Sequence, residues 1–217
     1  MTDQNDQQTM PFIEENDLEW QIDNLPNRLT IFRILLIPVI IGSLFMNMTT
    51  YEWIDDYKLM FGYIAAWTFV LASVTDFFDG YIARKRQIVT VFGSFLDPIA
   101  DKFLVVSSLI LLQGLGRIPV LIVIILVLRE MYITSLRLLA SDKGIKVPVG
   151  QLGKWKTALQ MIGIPFLMAN DTPFGIPMPL LGSTFIYLAS IISLYSALEY
   201  SLGLLKKIKL KRKPKHA

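Results

Sequence analysis

With 217 residues, 53% of them hydrophobic and 18% charged, and a mean hydropathy of +0.49, the chain is long enough for one domain and too apolar for an ordinary soluble one. It has no cysteine, which excludes a disulfide framework and thiol chemistry. Its one histidine, His216, sits in a basic tail, which argues against serine–histidine catalysis.

The first 27 residues carry seven acids and no Lys or Arg, so no charged stretch precedes an apolar core in the manner of a cleavable signal peptide. Residues 1–10 have the composition of a disordered segment. Phe12, Ile13, Leu18, Trp20 and Ile22 alternate with acids, a pattern compatible with a short juxtamembrane amphipathic helix.

Six apolar segments follow, at about 29–47, 59–80, 95–114, 118–139, 156–170 and 181–204. A membrane span needs about 20 mostly apolar residues. The expectation is an all-α polytopic membrane protein with six transmembrane helices. Residues 1–25 would form an acidic arm, 26–205 a six-helix membrane domain and 206–217 a basic tail.

The first segment opens with Pro26-Asn27-Arg28-Leu29-Thr30-Ile31-Phe32-Arg33, helix-start residues followed by an arginine inside the apolar run. The second runs into Asp76-Phe77-Phe78-Asp79-Gly80-Tyr81-Ile82-Ala83-Arg84. On a helix, Asp76, Asp79, Gly80, Ala83 and Arg84 share one face, and so do Gly93, Asp97 and Asp101 at the start of the third segment. Two short helical faces joined by a turn would aim four carboxylates and an arginine at one point. Gly80, Ala83 and Gly93 leave room there for a ligand or a second backbone. Converging carboxylates repel unless a cation lies between them, and the oxygen-rich choice is one or two hard divalent ions, Mg²⁺ or Mn²⁺, which commonly hold phosphates for displacement. Flanked by apolar segments, such ionisable groups are costly and usually functional.

The fourth segment has eleven uncharged residues, Ile118 to Leu128, before Arg129 and Glu130. Arg129 and Arg137 share a helical face with Ile133 between them, and Glu130 is placed to pair with a neighbouring cation and orient it. The fifth opens with Gly153-Lys154-Trp155-Lys156-Thr157 and Gln160, and is short and interrupted by Gly163 and Pro165. Such cations have a use opposite an Asp–metal site, because a phosphorylated ligand brought to it must be held by charge. Lys154 and Lys156 also read simply as markers of a membrane boundary.

Loop charges assign the sides. Arg84, Lys85 and Arg86, then Lys143, Lys146, Lys154 and Lys156, then the seven cations after Leu205 all fall on one side. Glu52, Asp55 and Asp56 fall on the other, and 171–183 has no basic residue. Both termini and the Asp cluster are therefore expected at the cytoplasmic face. The tail reads equally as an anchor to anionic lipid or a solvated topology signal, and nucleic-acid binding is a poor reading of it.

The spacing D-x2-D-G-x2-A-R-x8-G-x3-D-x3-D resembles the signature of the CDP-alcohol phosphatidyltransferases, integral membrane enzymes of phospholipid synthesis, with every fixed position present from Asp76 to Asp101. The resemblance runs from about Pro26 to the end of the last apolar segment. It implies that Asp76, Asp79, Asp97 and Asp101 hold two divalent ions, with Asp101 also the general base. It implies that Asn27, Thr30, Arg33, Gly80, Ala83, Arg84 and Gly93 bind the donor, CDP-diacylglycerol. The P-N-x-L-T-x-x-R and G-K-x-K-T-x2-Q stretches resemble most the phosphatidylglycerophosphate-forming branch. In that branch Arg129, Arg137, Lys154, Lys156 and Thr157 would bind the phosphate of glycerol 3-phosphate. A homodimer in a bacterial inner membrane, in contact with its lipids, is also implied. The alternatives are inositol phosphate or a lipid alcohol as acceptor. A different class, an ion or phosphate transporter, would distribute its carboxylates along several spans.

Overall fold

The computed structural model of the chain describes residues 25–86, 91–142 and 150–212, without the side chains of residues 25, 26, 79–86, 91, 92, 94, 95 and 209–212. The acidic arm expected over residues 1–25, with its surface helix, lies essentially outside the described residues, as do Lys143, Lys146 and the tail beyond Arg212.

Every regular element described is helical: α1 (Leu25–Met48), α2 (Glu52–Asp55), α3 (Lys58–Arg86), α4 (Val91–Gly114), α5 (Val120–Asp142), α6 (Gln151–Ala169) and α7 (Met178–Arg212), with a 3₁₀ turn at Pro173–Gly175. The six long helices coincide with the six apolar segments, and α2 is an additional short turn. Three of them, over Asn27–Met48, Lys58–Phe78 and Met178–Ile208, are long and apolar enough to cross a membrane by length and composition. The two motif faces are not a compact pair of short helices. They are the last turns of α3 and the first turns of α4, each continuous with a long apolar helix.

Proline lies inside α1, α4 and α6 as Pro38, Pro98 and Pro165. Each lacks an N–H to donate to the carbonyl four residues earlier, a loss that helices in apolar surroundings tolerate when neighbouring groups satisfy the freed backbone. Neither Gly163 nor Pro165 breaks α6. Gly163 instead sets a close crossing: a Cβ there would lie 3.1 Å from the Gly182 carbonyl oxygen of α7, and one on Gly182 would lie 2.8 Å from Leu167 Cγ. Small residues let helix backbones approach in this way. Gly62 does the same between α3 and α6, where a Cβ would meet the Met168 carbonyl at 2.7 Å.

The order of packing follows. α1 packs on α3 and α4, α3 on α6, α6 on α7, and α7 on α5, with lighter contacts from α4 to α5 and α6. Ile40, Leu44, Phe69, Leu104, Leu112, Leu126, Ile164 and Met168 fill the main core. A smaller cluster of Ile133, Ala140, Tyr200 and Leu204 joins α5 to α7. The polarity is inverted relative to a soluble bundle. Arg33, Asn27, Thr30, Arg129, Lys156, Gln160 and Ser193 are buried, while Leu35, Trp67, Phe77, Leu121, Met131, Leu138, Ile191 and Leu202 face outward. An outer surface of large apolar side chains on long helices identifies a membrane protein.

Candidate active site

The polar interior gathers at one end of the bundle, where the start of α1, the end of α3 and the starts of α4 and α6 meet. Thr30 and Arg33, one helical turn apart on α1, both point inward and are fully buried. Thr30 Oγ1 donates to Asp97 Oδ1 of α4 at 2.5 Å. The Arg33 guanidinium forms an ion pair with Asp76 of α3. One turn of α1 therefore addresses one carboxylate from each half of the Asp motif. Asn27 and Gly93 are buried in the same region.

Asp76 lies near enough to Asp97 for their charges to repel, and Asp101 feels the charge of both Asp76 and Glu130. Three motif carboxylates, Asp76, Asp97 and Asp101, thus lie at the same end of the bundle, with Asp76 within electrostatic reach of the other two. Asp79, Gly80, Ala83 and Arg84 lie on α3, with their side chains outside the described residues.

Asp101 opens onto a small cavity of about 30 Å³ whose polar lining is Lys102, Glu130, Lys156, Thr157 and Gln160. Glu130 is the hub of its far wall. It accepts from Lys156 Nζ of α6 and from Arg129 Nη1 of its own helix at 3.1 Å. Arg129 is held from its other side by α7, donating through Nε to the Ser193 carbonyl at 3.2 Å and through Nη2 to Ser196 Oγ at 3.1 Å. A second cavity of about 270 Å³ lies between α5, the start of α6 and α7, lined by Arg129, Ile133, Arg137, Ser196, Glu199, Tyr200 and Lys207 among others. Arg137 is exposed and stands 5.8 Å over the Tyr200 ring.

The five residues expected to hold an acceptor phosphate are therefore divided. Lys156 and Thr157 face the Asp101 cavity, Arg129 and Arg137 line the larger one, and the exposed Lys154 lines neither. The expected partnership of Glu130 with neighbouring cations is present.

Sequence reasoning missed a second, half-buried polar cluster, at the opposite end of the bundle. Arg117 Nη1 donates to the carbonyls of Leu167 (2.9 Å) and Met168 (2.8 Å) at the end of α6, and Nη2 to Asn47 Oδ1 (3.0 Å) at the end of α1. Asn47 Nδ2 in turn donates to the Lys58 carbonyl (2.7 Å) at the start of α3. Beside it, Tyr63 donates to Asp171 Oδ2 at 2.6 Å. The only signal in the sequence was a lone arginine in a short loop.

The chain can also be set beside known proteins. A family described as CDP-alcohol phosphatidyltransferase matches residues 23–195. A relative from Bacillus subtilis named CDP-diacylglycerol–glycerol-3-phosphate 3-phosphatidyltransferase is 36% identical over 182 residues, covering 82% of this chain and 93% of the relative. A protein of the same name from Rickettsia felis is 38% identical over 178 residues, with the same shares. An Arabidopsis thaliana protein of that name, numbered 2, is 33% identical over 206 residues, covering 88% of this chain and 83% of the relative.

Proposed function

The chain belongs to the CDP-alcohol phosphatidyltransferase family, and on that basis we propose that it transfers the phosphatidyl group of CDP-diacylglycerol to sn-glycerol 3-phosphate, giving phosphatidylglycerophosphate and CMP. The observation that carries the reading is the convergence of Asp76, Asp97 and Asp101 at one end of the bundle, with Thr30 and Arg33 addressing the first two and cations walling the third.

The donor set fits a hard divalent cation. The carboxylates are all-oxygen ligands and Asp76 and Asp97 repel across two helices, which suits a hard cation, although among the described residues no three acids are gathered closely enough to hold one and Arg33 occupies Asp76. Asp76, Asp79, Asp97 and Asp101 would hold Mg²⁺ or Mn²⁺, two ions in the full site. When bound, such ions neutralise charge on the pyrophosphate as CMP departs.

The protein's own groups do the rest. Thr30 and Arg33 fix the Asp97 and Asp76 carboxylates, and with Asn27, Gly80, Ala83, Arg84 and Gly93 they form the donor site. Asp101, which makes no hydrogen bond or ion pair among the described residues, takes the proton from the acceptor hydroxyl. The hydroxyl oxygen forms the new bond to the phosphorus bearing the diacylglycerol, the pyrophosphate P–O bond breaks, and the electron pair leaves on CMP. Of the residues expected to hold the acceptor phosphate, Arg137 and Arg129 line the larger cavity, which suits a small phosphorylated alcohol, and Lys156 and Thr157 add polar and cationic character beside Asp101.

The full architecture in this reading is six spans with both termini and the site at the cytoplasmic side of a bacterial inner membrane. Residues 26–205 form the catalytic domain of a homodimer in contact with membrane lipids. Purified protein in detergent, given CDP-diacylglycerol and a panel of alcohols, should release CMP with glycerol 3-phosphate far faster than with glycerol, serine, inositol or inositol phosphate. Equal rates across the panel would remove the acceptor assignment.

A further inference from the structure

Glu130 connects three helices. Arg129 is buried and anchored on α7 through Ser193 and Ser196, and its Nη1 fixes the Glu130 carboxylate on α5. Glu130 in turn holds the Lys156 ammonium of α6. Lys156 shares its cavity with Asp101, and the two opposite charges are close enough to attract. Yet the ion pair that Lys156 makes is with Glu130, and Asp101 makes none among the described residues. A buried ammonium needs a counter-charge, and on a flexible four-carbon stem it moves to whichever is in reach. The lining of this cavity contains two acids, Glu130 and Asp101. Without the first, the ammonium is left with the second.

We propose that Glu130 is a positioning residue that keeps Lys156 off Asp101, so that the Asp101 carboxylate stays open to a divalent cation and to the acceptor hydroxyl. The inference rests on the reading of Asp101 as metal ligand and base given above. An Asp101–Lys156 pair would set a fixed cation where the divalent ion must bind and occupy the lone pairs that take the proton. The tether leaves Lys156 within the same cavity, where its charge still serves the acceptor.

The test is a suppression experiment on the full-length protein in detergent. Glu130→Ala, Lys156→Met and the double variant are compared by Mn²⁺ titration of the thermal unfolding midpoint of metal-free protein, and by turnover of CDP-diacylglycerol with glycerol 3-phosphate. Glu130→Ala should need about ten- to a hundredfold more Mn²⁺ for half-maximal stabilisation and lose kcat by a similar factor, the range for groups that orient metal ligands. Removing Lys156 as well should restore the Mn²⁺ titration and most of kcat, leaving the raised acceptor KM of Lys156→Met. Should Glu130→Ala fail to fold, Glu130→Gln and Glu130→Gln/Lys156→Met carry the same comparison with a smaller displacement in the same direction.

A double variant no better than Glu130→Ala overturns the inference, as does a Glu130 variant that alters the acceptor KM alone. A merely structural Glu130 would lower the metal-free unfolding midpoint, which loss of the unpaired ammonium can also recover, but would leave the Mn²⁺ concentration for half-maximal stabilisation unchanged. If wild-type protein itself shows neither stabilisation by Mn²⁺ nor CMP release, the reading of the site fails first, and this inference with it.

Discussion

The two ends of this bundle hold arginine in different ways. At one end Arg117 is met entirely by neutral acceptors, two carbonyls of α6 and the amide oxygen of Asn47. At the other, Arg33 is met by Asp76, and Arg129 and Lys156 by Glu130. Carbonyls at a helix end are fixed and make a permanent latch, joining the ends of α6 and α1 and, through Asn47, the start of α3. Carboxylates can instead change partners, accepting a metal, a proton or a different cation. The Arg117 end is thus a structural latch, while the carboxylates at the other end are open to chemistry even though Arg129 there also rests on the neutral Ser193 carbonyl and Ser196 hydroxyl.

The comparison breaks most sharply at Asp101. Asp101→Asn should lower kcat by about 10²–10⁴-fold, the contribution of a general base, while the unfolding midpoint in detergent moves little. Removal of divalent ions by EDTA should abolish CMP release, and Mg²⁺ or Mn²⁺ should restore it; full turnover in EDTA would sink the metal reading. Arg137→Ala comes next. A charge-assisted phosphate contact is worth roughly 1.5–3 kcal/mol, so KM for glycerol 3-phosphate should rise about ten- to a hundredfold with the donor KM nearly unchanged. A rise confined to the donor would mean that the larger cavity does not receive the acceptor.

Thr30→Val sharpens the same end from the α1 side. It removes the hydroxyl that donates to Asp97, and kcat/KM should fall about tenfold, the lower figure for a group that orients a metal ligand. Arg117→Met, at the other end, should leave kcat and both KM values of the folded protein unchanged. It should destabilise by at least about 1.5–3 kcal/mol, the range for one hydrogen bond from a charged group, because three such bonds disappear together. Loss of turnover without loss of stability would contradict the assignment of that end as a latch.

The smallest effect concerns Asp171, in the loop after α6. The Tyr63 hydroxyl, and after it the Thr172 N–H, hold its carboxyl below the ordinary carboxylate value. A depressed folded-state value means that the contribution is complete above the unfolded value, about 3.9, and is lost as the pH falls through the lower folded one. Asp171→Asn should flatten the acid limb of the stability profile below about pH 4 and leave the neutral region alone.

The apolar segments and the Asp motif were legible in the sequence because both are local periodic patterns. A run of apolar residues marks a helix in lipid, and carboxylates three or four apart mark a face. The pairing of Glu130 with a neighbouring cation was legible for the same reason, since Arg129 is its immediate neighbour. Helical period fixes only the direction of a side chain around its own axis. It does not say which turn of another helix lies opposite, nor how close the axes come. That was decided by packing: Gly62, Gly163 and Gly182 set close approaches of α3 to α6 and of α6 to α7. Both α5 and α6 pack on α7, which sets Lys156 opposite Glu130 and presents Ser193 and Ser196 to Arg129. In the same way, nothing near Arg117 in the chain announces carbonyls 50 and 51 residues away. Composition and spacing determined that this chain would place carboxylates and cations in an apolar bundle, because those are properties of single helices. Only the tertiary structure decided which cation answers which acid, because that depends on depth and rotation between helices distant in sequence.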